Sequence, residues 1–99
     1  MPKLSQRLDS TEAQRALQAA YDWAVARPNV AHSKQLVLLI DSMKDRTVIE
    51  ESDFNAAKVM RYDLRMVLKL LTYWSGYEAQ WVKNQLRYHI VYLDGVIHG

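Results

Sequence analysis

The three histidines are the side chains of this 99-residue sequence best suited to metal binding or to proton transfer near neutral pH. His32, His89 and His98 are far apart in the sequence, and no two of them lie three or four positions apart, the spacing that places two ligands on one helix face. The chain has no cysteine, which excludes thiolate metal sites and disulfides, and no Gly-x-Ser-x-Gly motif to position a serine nucleophile. We therefore predict no metal, no cofactor and no catalytic residue.

One pair of residues nevertheless matches a catalytic spacing. Arg27 is followed five positions later by His32. This spacing resembles the arrangement in some small all-helical ribonucleases, where the histidine acts as a base and the arginine binds the phosphate. The resemblance covers these two residues, with Pro28 directly after the arginine. It implies a ribonuclease as the third hypothesis for the function of this chain, behind two binding functions.

Four basic residues at helical spacing form a stripe that could bind an acidic partner. The stripe contains Lys58, Arg61, Arg65 and Lys69, at spacings of 3, 4 and 4. Its partner would be an acidic protein surface or a phosphate backbone, and the alternative is an ordinary solvated helix face. The net charge of +2, from 13 basic and 11 acidic residues, is low for a nucleic-acid-binding protein. A protein partner is therefore favoured, and nucleic acid is the second possibility.

Asp63 lies in the middle of the apolar side of the same predicted helix, between Val59 and Met66. An unpaired carboxylate in an apolar environment is costly. We therefore expect Asp63 to be buried and paired with an Arg, Lys, Tyr or Trp side chain of another helix. The other possibility is that this side of the helix meets a second protein chain.

The last predicted helix has two apolar sides. Its aliphatic stripe, suited to a core, consists of Ala79, Val82, Leu86, Ile90 and Leu93. About 120° around the helix, an aromatic stripe consists of Tyr77, Trp81, Tyr88 and Tyr92. Exposed aromatic patches mark binding sites or subunit interfaces. We expect the aromatic stripe to form a contact between chains, most simply in a homodimer, unless the helix is central and both stripes are internal.

Four helices are predicted to position these residues, over 11–27, 31–45, 53–74 and 77–93. Three capping boxes, each a cap residue followed three positions later by glutamate, support the helix starts: Asp9 with Glu12, Thr47 with Glu50, and Ser75 with Glu78. The last helix is expected to end at Asp94 and Gly95, since glycine readily takes the left-handed conformation that terminates helices. The competing interpretations are a buried strand over 36–41 and a hairpin turn at Asp94 and Gly95.

These features together predict an all-α single domain, built as a compact bundle or open array of about four helices. The longest apolar run covers only residues 36–40, so we expect no membrane span, and without a signal sequence the expected location is the cytoplasm. The favoured function is a small non-enzymatic regulator, such as an inhibitor, anti-activator or adaptor, which occludes a larger protein partner.

Overall fold

The computed structural model describes residues 11–43 and 52–99, and these residues form four α-helices. The helices are α1 (Thr11–Ala26), α2 (Ser33–Met43), α3 (Phe54–Leu70) and α4 (Tyr77–His98). No strand occurs within these ranges, so the all-α prediction is confirmed and a strand over 36–41 is excluded. Each helix packs on the next in sequence and α4 also packs on α1, giving a closed ring of four helices about 45 Å long.

The core lies along the centre of this ring. From α3 and the residue after it, the buried row consists of Ala57, Met60, Leu64, Val67 and Leu71, none more than 1% exposed. From α1 the core receives four alanines, Ala13, Ala16, Ala20 and Ala24, which allow the neighbouring helices to approach closely. From α4 it receives Ala79, Val82, Leu86 and Leu93. The aliphatic stripe predicted on the last helix therefore faces the core, with Ile90 packed at its edge.

The first three helices are shorter than their predicted ranges. α2 begins at Ser33 instead of 31 because His32 adopts a left-handed φ of 73°, which ends the preceding turn. α3 begins after Asp53, whose Oδ1 accepts a hydrogen bond from the Ala56 amide at 3.0 Å. It ends at Leu70, and the Thr72 hydroxyl donates to the Lys69 carbonyl at 2.6 Å, satisfying one of the last helical carbonyls. The predicted caps at Asp9 and Thr47 lie outside the described residues.

The expected end of α4 at Asp94 and Gly95 is wrong, because the helix continues to His98. Glycine is a poor helix former, by about 1 kcal/mol relative to alanine. Here Val96 and Ile97 pack against the core, and Asp94 bonds to α3, so burial beyond Gly95 outweighs its low propensity. The capping box at the start of α4 is also wrong, since the N-cap is Gly76, at φ 108°, and makes no side-chain hydrogen bond.

Among the residues that the structure describes, no helix has the combination of length and hydropathy needed to cross a membrane.

Candidate functional site

The outer side of α3 carries most of the predicted basic stripe. Lys58, Arg65 and Lys69 are exposed there, and Tyr62 is exposed between them. We call these four residues, with Arg61, the basic face. A groove of about 490 Å³ runs along it, lined among the described residues by Arg61, Tyr62, Arg65, Met66, Leu68 and Lys69. The basic face therefore combines exposed cations with an aromatic ring and an apolar floor.

Arg61 differs from the other three cations because α4 supplies it with an acidic partner. Its Nη1 donates to Oδ1 of Asp94 at 2.7 Å and lies 3.4 Å from Nε2 of His98. The Arg61 side chain is 26% exposed and that of Asp94 is 46% exposed. The charge of Arg61 is therefore largely compensated by Asp94. The accessible positive charge of the basic face comes from Lys58, Arg65 and Lys69.

Two contacts fix the register of α4 against α3 and the residues that follow α3. Arg61 bonds to Asp94 near one end, and Lys83 Nζ donates to the Trp74 carbonyl at 2.7 Å near the other. The two helices are therefore antiparallel, and at about 1.5 Å per residue Lys69 lies about level with Arg87. Arg87 is exposed on α4, and only this long-range register relates its position along the bundle to that of Lys69.

The aromatic stripe predicted on α4 divides into two groups. Tyr77 is 97% exposed and Tyr88 is 69% exposed, so both project into solvent. Tyr92 is half-buried and packs against the core. Trp81 is also exposed, at 37%, although less than the two exposed tyrosines. Only part of the stripe is therefore available to bind another chain.

Trp81 borders a second groove, of about 530 Å³, at the end of the bundle where α1 ends and α4 begins. Its floor contains Trp23 and Trp74, which are stacked with ring centroids 5.2 Å apart and planes inclined by 19°. The Arg27 guanidinium lies 5.8 Å from the centre of the Trp23 ring. Both tryptophans are nearly buried, so this stack joins α1 to the connection between α3 and α4 as part of the core.

The two residues of the ribonuclease-like spacing each contact a different aromatic ring. Arg27 lies over Trp23, whereas the His32 ring stacks on Tyr73 with centroids 6.0 Å apart. The His32 Nδ1 also lies 3.2 Å from Oε1 of Gln35. The contact of His32 joins the α1–α2 connection to the α3–α4 connection, whereas the contact of Arg27 is local to the end of α1.

Two titratable side chains, those of Asp63 and His89, are buried among the described residues. Asp63 is 8% exposed on the inner side of α3 and interacts within the fold. His89 is 6% exposed on α4, and its ring meets the Tyr88 ring edge-on at 5.4 Å. Burial lowers the pKa of His89 below 6.5, and the negative charge of Glu12 on α1 partly opposes this shift. His89 is therefore a buried neutral histidine near neutral pH.

Over residues 11–43 and 52–99, no group of three or more His, Asp or Glu side chains is arranged to hold a metal ion. Comparison of the chain with protein families, with curated proteins and with solved structures finds no match. Within the described ranges, the basic face and the exposed side of α4 present cations and aromatic side chains that a partner could contact.

Proposed function

We propose that this chain is a small non-enzymatic regulator that binds an acidic surface of another protein through the basic face and occludes it. The observation that carries the proposal is the exposure of Lys58, Arg65 and Lys69 on one side of α3, with Tyr62 among them. Arginine and tyrosine are enriched at protein interfaces, and clustered charge of one sign accelerates association with an oppositely charged partner.

The apolar side chains around the basic face favour a protein partner over nucleic acid. Phe54 and Val59 project from α3 into solvent beside the cations, each about half exposed. Aliphatic and phenyl groups bury apolar area against a protein surface, whereas a phosphate backbone offers them little to contact. The net charge of only +2 points the same way, because acidic residues elsewhere on the chain oppose a general attraction to nucleic acid.

Self-association and a cytoplasmic location complete the proposal. The exposed Tyr77 and Tyr88 on α4 would be covered by a second copy of the chain in a homodimer. The absence of cysteine suits a reducing compartment, in which disulfides do not form.

The experiment compares two variants with the same change in net charge. Lys58→Glu with Lys69→Glu reverses the basic face, and Arg15→Glu with Lys34→Glu reverses exposed cations of α1 and α2 as a control. Each tagged chain is used to recover binding proteins from nuclease-treated extract of its native cell. We expect one acidic protein to be recovered by the wild type and by the control, and lost with the basic-face variant. Equal recovery by all three chains would overturn the proposal.

The same variants separate protein binding from nucleic-acid binding. A labelled DNA duplex and a labelled single-stranded RNA are titrated with the wild type at several salt concentrations. Binding through the basic face to a phosphate backbone would weaken with a log–log salt slope of about −0.7 to −0.9 for each phosphate contact. Such a slope, lost in the basic-face variant and kept in the control, would assign the face to nucleic acid instead.

A further inference from the structure

The outward side of α4 carries a second heptad-like row, distinct from the row that faces the core. The row consists of Tyr77, Trp81, Asn84, Tyr88, Val91 and Gly95, at spacings of 4, 3, 4, 3 and 4. All six residues are exposed, so no other part of the described fold covers them. Spacings of this kind keep one face of a helix against a second helix over several turns. Only Tyr77, Trp81 and Tyr88 of this row belong to the predicted aromatic stripe.

The row is self-complementary in size when read in opposite directions. Tyr77 and Gly95, Trp81 and Val91, and Asn84 and Tyr88 form three pairs, each symmetric about Leu86. In the first two pairs a large side chain is matched with a small one or with none. Two copies of α4 that cross antiparallel at the level of Leu86 would therefore place Tyr77 and Trp81 opposite smaller residues and Tyr88 opposite Asn84, so that no two aromatic side chains meet directly.

From this pattern we infer that two copies of the chain form a dimer by antiparallel pairing of α4, with Tyr77 of each copy packed over Gly95 of the other. This inference rests on the self-association proposed above and adds its register. Gly95 is suited to this role because a Cβ added there meets no atom within 4 Å, so its surface is open to a second chain.

Asn84 is the polar residue of the row, and it favours the antiparallel orientation of the two helices. Its Oδ1 accepts hydrogen bonds from Gln80 Nε2 at 3.0 Å and Arg87 Nη1 at 3.2 Å. Its amide nitrogen can then donate across the dimer to the Tyr88 hydroxyl, the residue opposite it in the antiparallel register. A polar residue in an otherwise apolar seam commonly selects one register and orientation.

The exposed area of the row is of the size that a dimer needs. A tyrosine buries about 150–250 Å² at an interface. Tyr77 and Tyr88, both largely exposed, therefore supply about half of the roughly 800 Å² that each partner buries in a standard interface. Trp81, Val91 and the flanking polar residues add to this area. The exposed row is thus large enough for a stable pair.

Disulfide formation tests the register directly, because the natural chain has no cysteine. Tyr77→Cys and Gly95→Cys are made in separate chains, both at exposed positions outside the core. In the antiparallel dimer the two positions face each other, whereas two copies of either one lie about 27 Å apart along the helix. We expect a disulfide-linked dimer when the two variants are mixed and oxidised, and little from either alone. A linked dimer from Tyr77→Cys alone would show parallel pairing and overturn the inference.

The oligomeric state tests the surface independently of the cysteines. Tyr88→Glu on α4 is compared with Leu38→Glu on α2, since these side chains are 69% and 70% exposed. By sedimentation of the purified chain, we expect the wild type to be dimeric and Tyr88→Glu to weaken dimerisation by about tenfold or more. Leu38→Glu is expected to leave dimerisation unchanged. A monomeric wild type, or equal effects of the two variants, would overturn the inference.

Salt separates this inference from the basic-face proposal. Near Leu86 the antiparallel register places Arg87 of each copy on the same flank, so added salt screens their repulsion and strengthens the dimer. Binding of an acidic partner to the basic face weakens with salt. The basic-face variant, Lys58→Glu with Lys69→Glu, is expected to dimerise normally. If no cross-linked dimer forms, the dimer inference is therefore wrong, but the proposed binding of an acidic protein to the basic face is not affected.

Discussion

Nη1 of Arg61 on α3 lies 2.7 Å from Oδ1 of Asp94 on α4, a hydrogen-bonded ion pair between residues 33 positions apart. The pair joins the first half of α3 to the last two turns of α4. Asp94 directly precedes Gly95, and the packed residues Val96 and Ile97 directly follow it. It is therefore a tertiary anchor for the part of α4 with the lowest intrinsic helix propensity.

We expect Asp94→Ala to lower the free energy of unfolding by about 0.2–1 kcal/mol, the range of exposed ion pairs. The measurement is urea denaturation of Arg61→Ala, Asp94→Ala and the double variant. Because the two side chains interact directly, the double variant is expected to lose less stability than the two single variants combined. Strict additivity would show that the pair contributes nothing to stability.

Two glycines with equally open surroundings are expected to respond oppositely to alanine. A Cβ added at Gly76 or at Gly95 meets no atom within 4 Å. Gly76 has a φ of 108°, so Gly76→Ala is expected to cost about 1–3 kcal/mol through backbone strain. Gly95 is helical, so Gly95→Ala is expected to stabilise the monomer by about 0.5–1 kcal/mol. Thermal unfolding at low protein concentration measures both, and equal signs would contradict this assignment.

The three tryptophans are expected to separate into core and surface residues. Trp23 is 8% exposed and stacks on Trp74, so Trp23→Ala is expected to destabilise by about 3–5 kcal/mol. Trp81 lies at the rim of the same groove, and Trp81→Ala is expected to cost about 1 kcal/mol. Chemical denaturation of the two variants checks the difference. A cost for Trp81→Ala as large as that for Trp23→Ala would mean that this part of the aromatic stripe belongs to the core.

The stability of the chain is expected to fall on mild acidification because of His89. Burial lowers the pKa of His89 in the folded state below 6.5, the value expected in the unfolded chain. As the pH falls below about 6.5, the unfolded chain binds this proton more readily than the folded chain, so the free energy of unfolding decreases. The loss continues until the pH reaches the lowered folded pKa.

Two variants isolate this contribution from that of the carboxylates. His89→Gln is expected to flatten the stability profile just below pH 6.5, because the unfolded chain of this variant has no imidazole to protonate. Glu12→Gln removes the charge that raises the pKa of His89, so the loss on acidification is expected to be larger. Denaturation midpoints measured at several pH values give both results. An unchanged profile in His89→Gln would refute the assignment to His89.

Asp63 is expected to contribute to stability although it is acidic and buried. At 8% exposure it interacts within the fold, so Asp63→Ala should cost about 1–3 kcal/mol by stranding its partner. Asp22→Ala, which removes an exposed carboxylate bonded to Gln18, is the control and is expected to have a small effect. Equal costs for the two variants would mean that the Asp63 interaction adds nothing beyond an exposed contact.

Apolar periodicity was sufficient to predict the four helices and the faces that they bury. Met60, Leu64 and Val67 lie in the core as their spacing indicates. Apolar residues that recur at alternating steps of three and four lie on one face of a helix, and that face is the one that becomes buried. The ends of the helices were harder to predict. Gly95 has the local signal of a helix end, but packing beyond it and the bond at Asp94 continue the helix.

The candidate site was less accessible to sequence reasoning because its composition depends on contacts between helices. The basic stripe on α3 contains no acid of its own, yet Arg61 is compensated by Asp94 of α4. The position of Arg87 along the bundle, about level with Lys69, follows only from the antiparallel register of α3 and α4. Likewise, the exposure of Tyr77 and Tyr88 but not Tyr92 depends on how α4 rotates against its neighbours.

The ring arrangement has a consequence for folding during synthesis. α1 is made first, yet one of its two packing partners is α4, the last of the described helices to be made. While the ribosome still holds α4, the apolar sides of α1 and α3 that it covers remain open to solvent. Local helix pairs can form early, but the contacts between α1 and α4 must close the longest loop of the described fold. The core is therefore expected to become fully packed only after α4 has left the ribosome. Docking of α4 on α1 and α3 is expected to be the final and slowest step of folding.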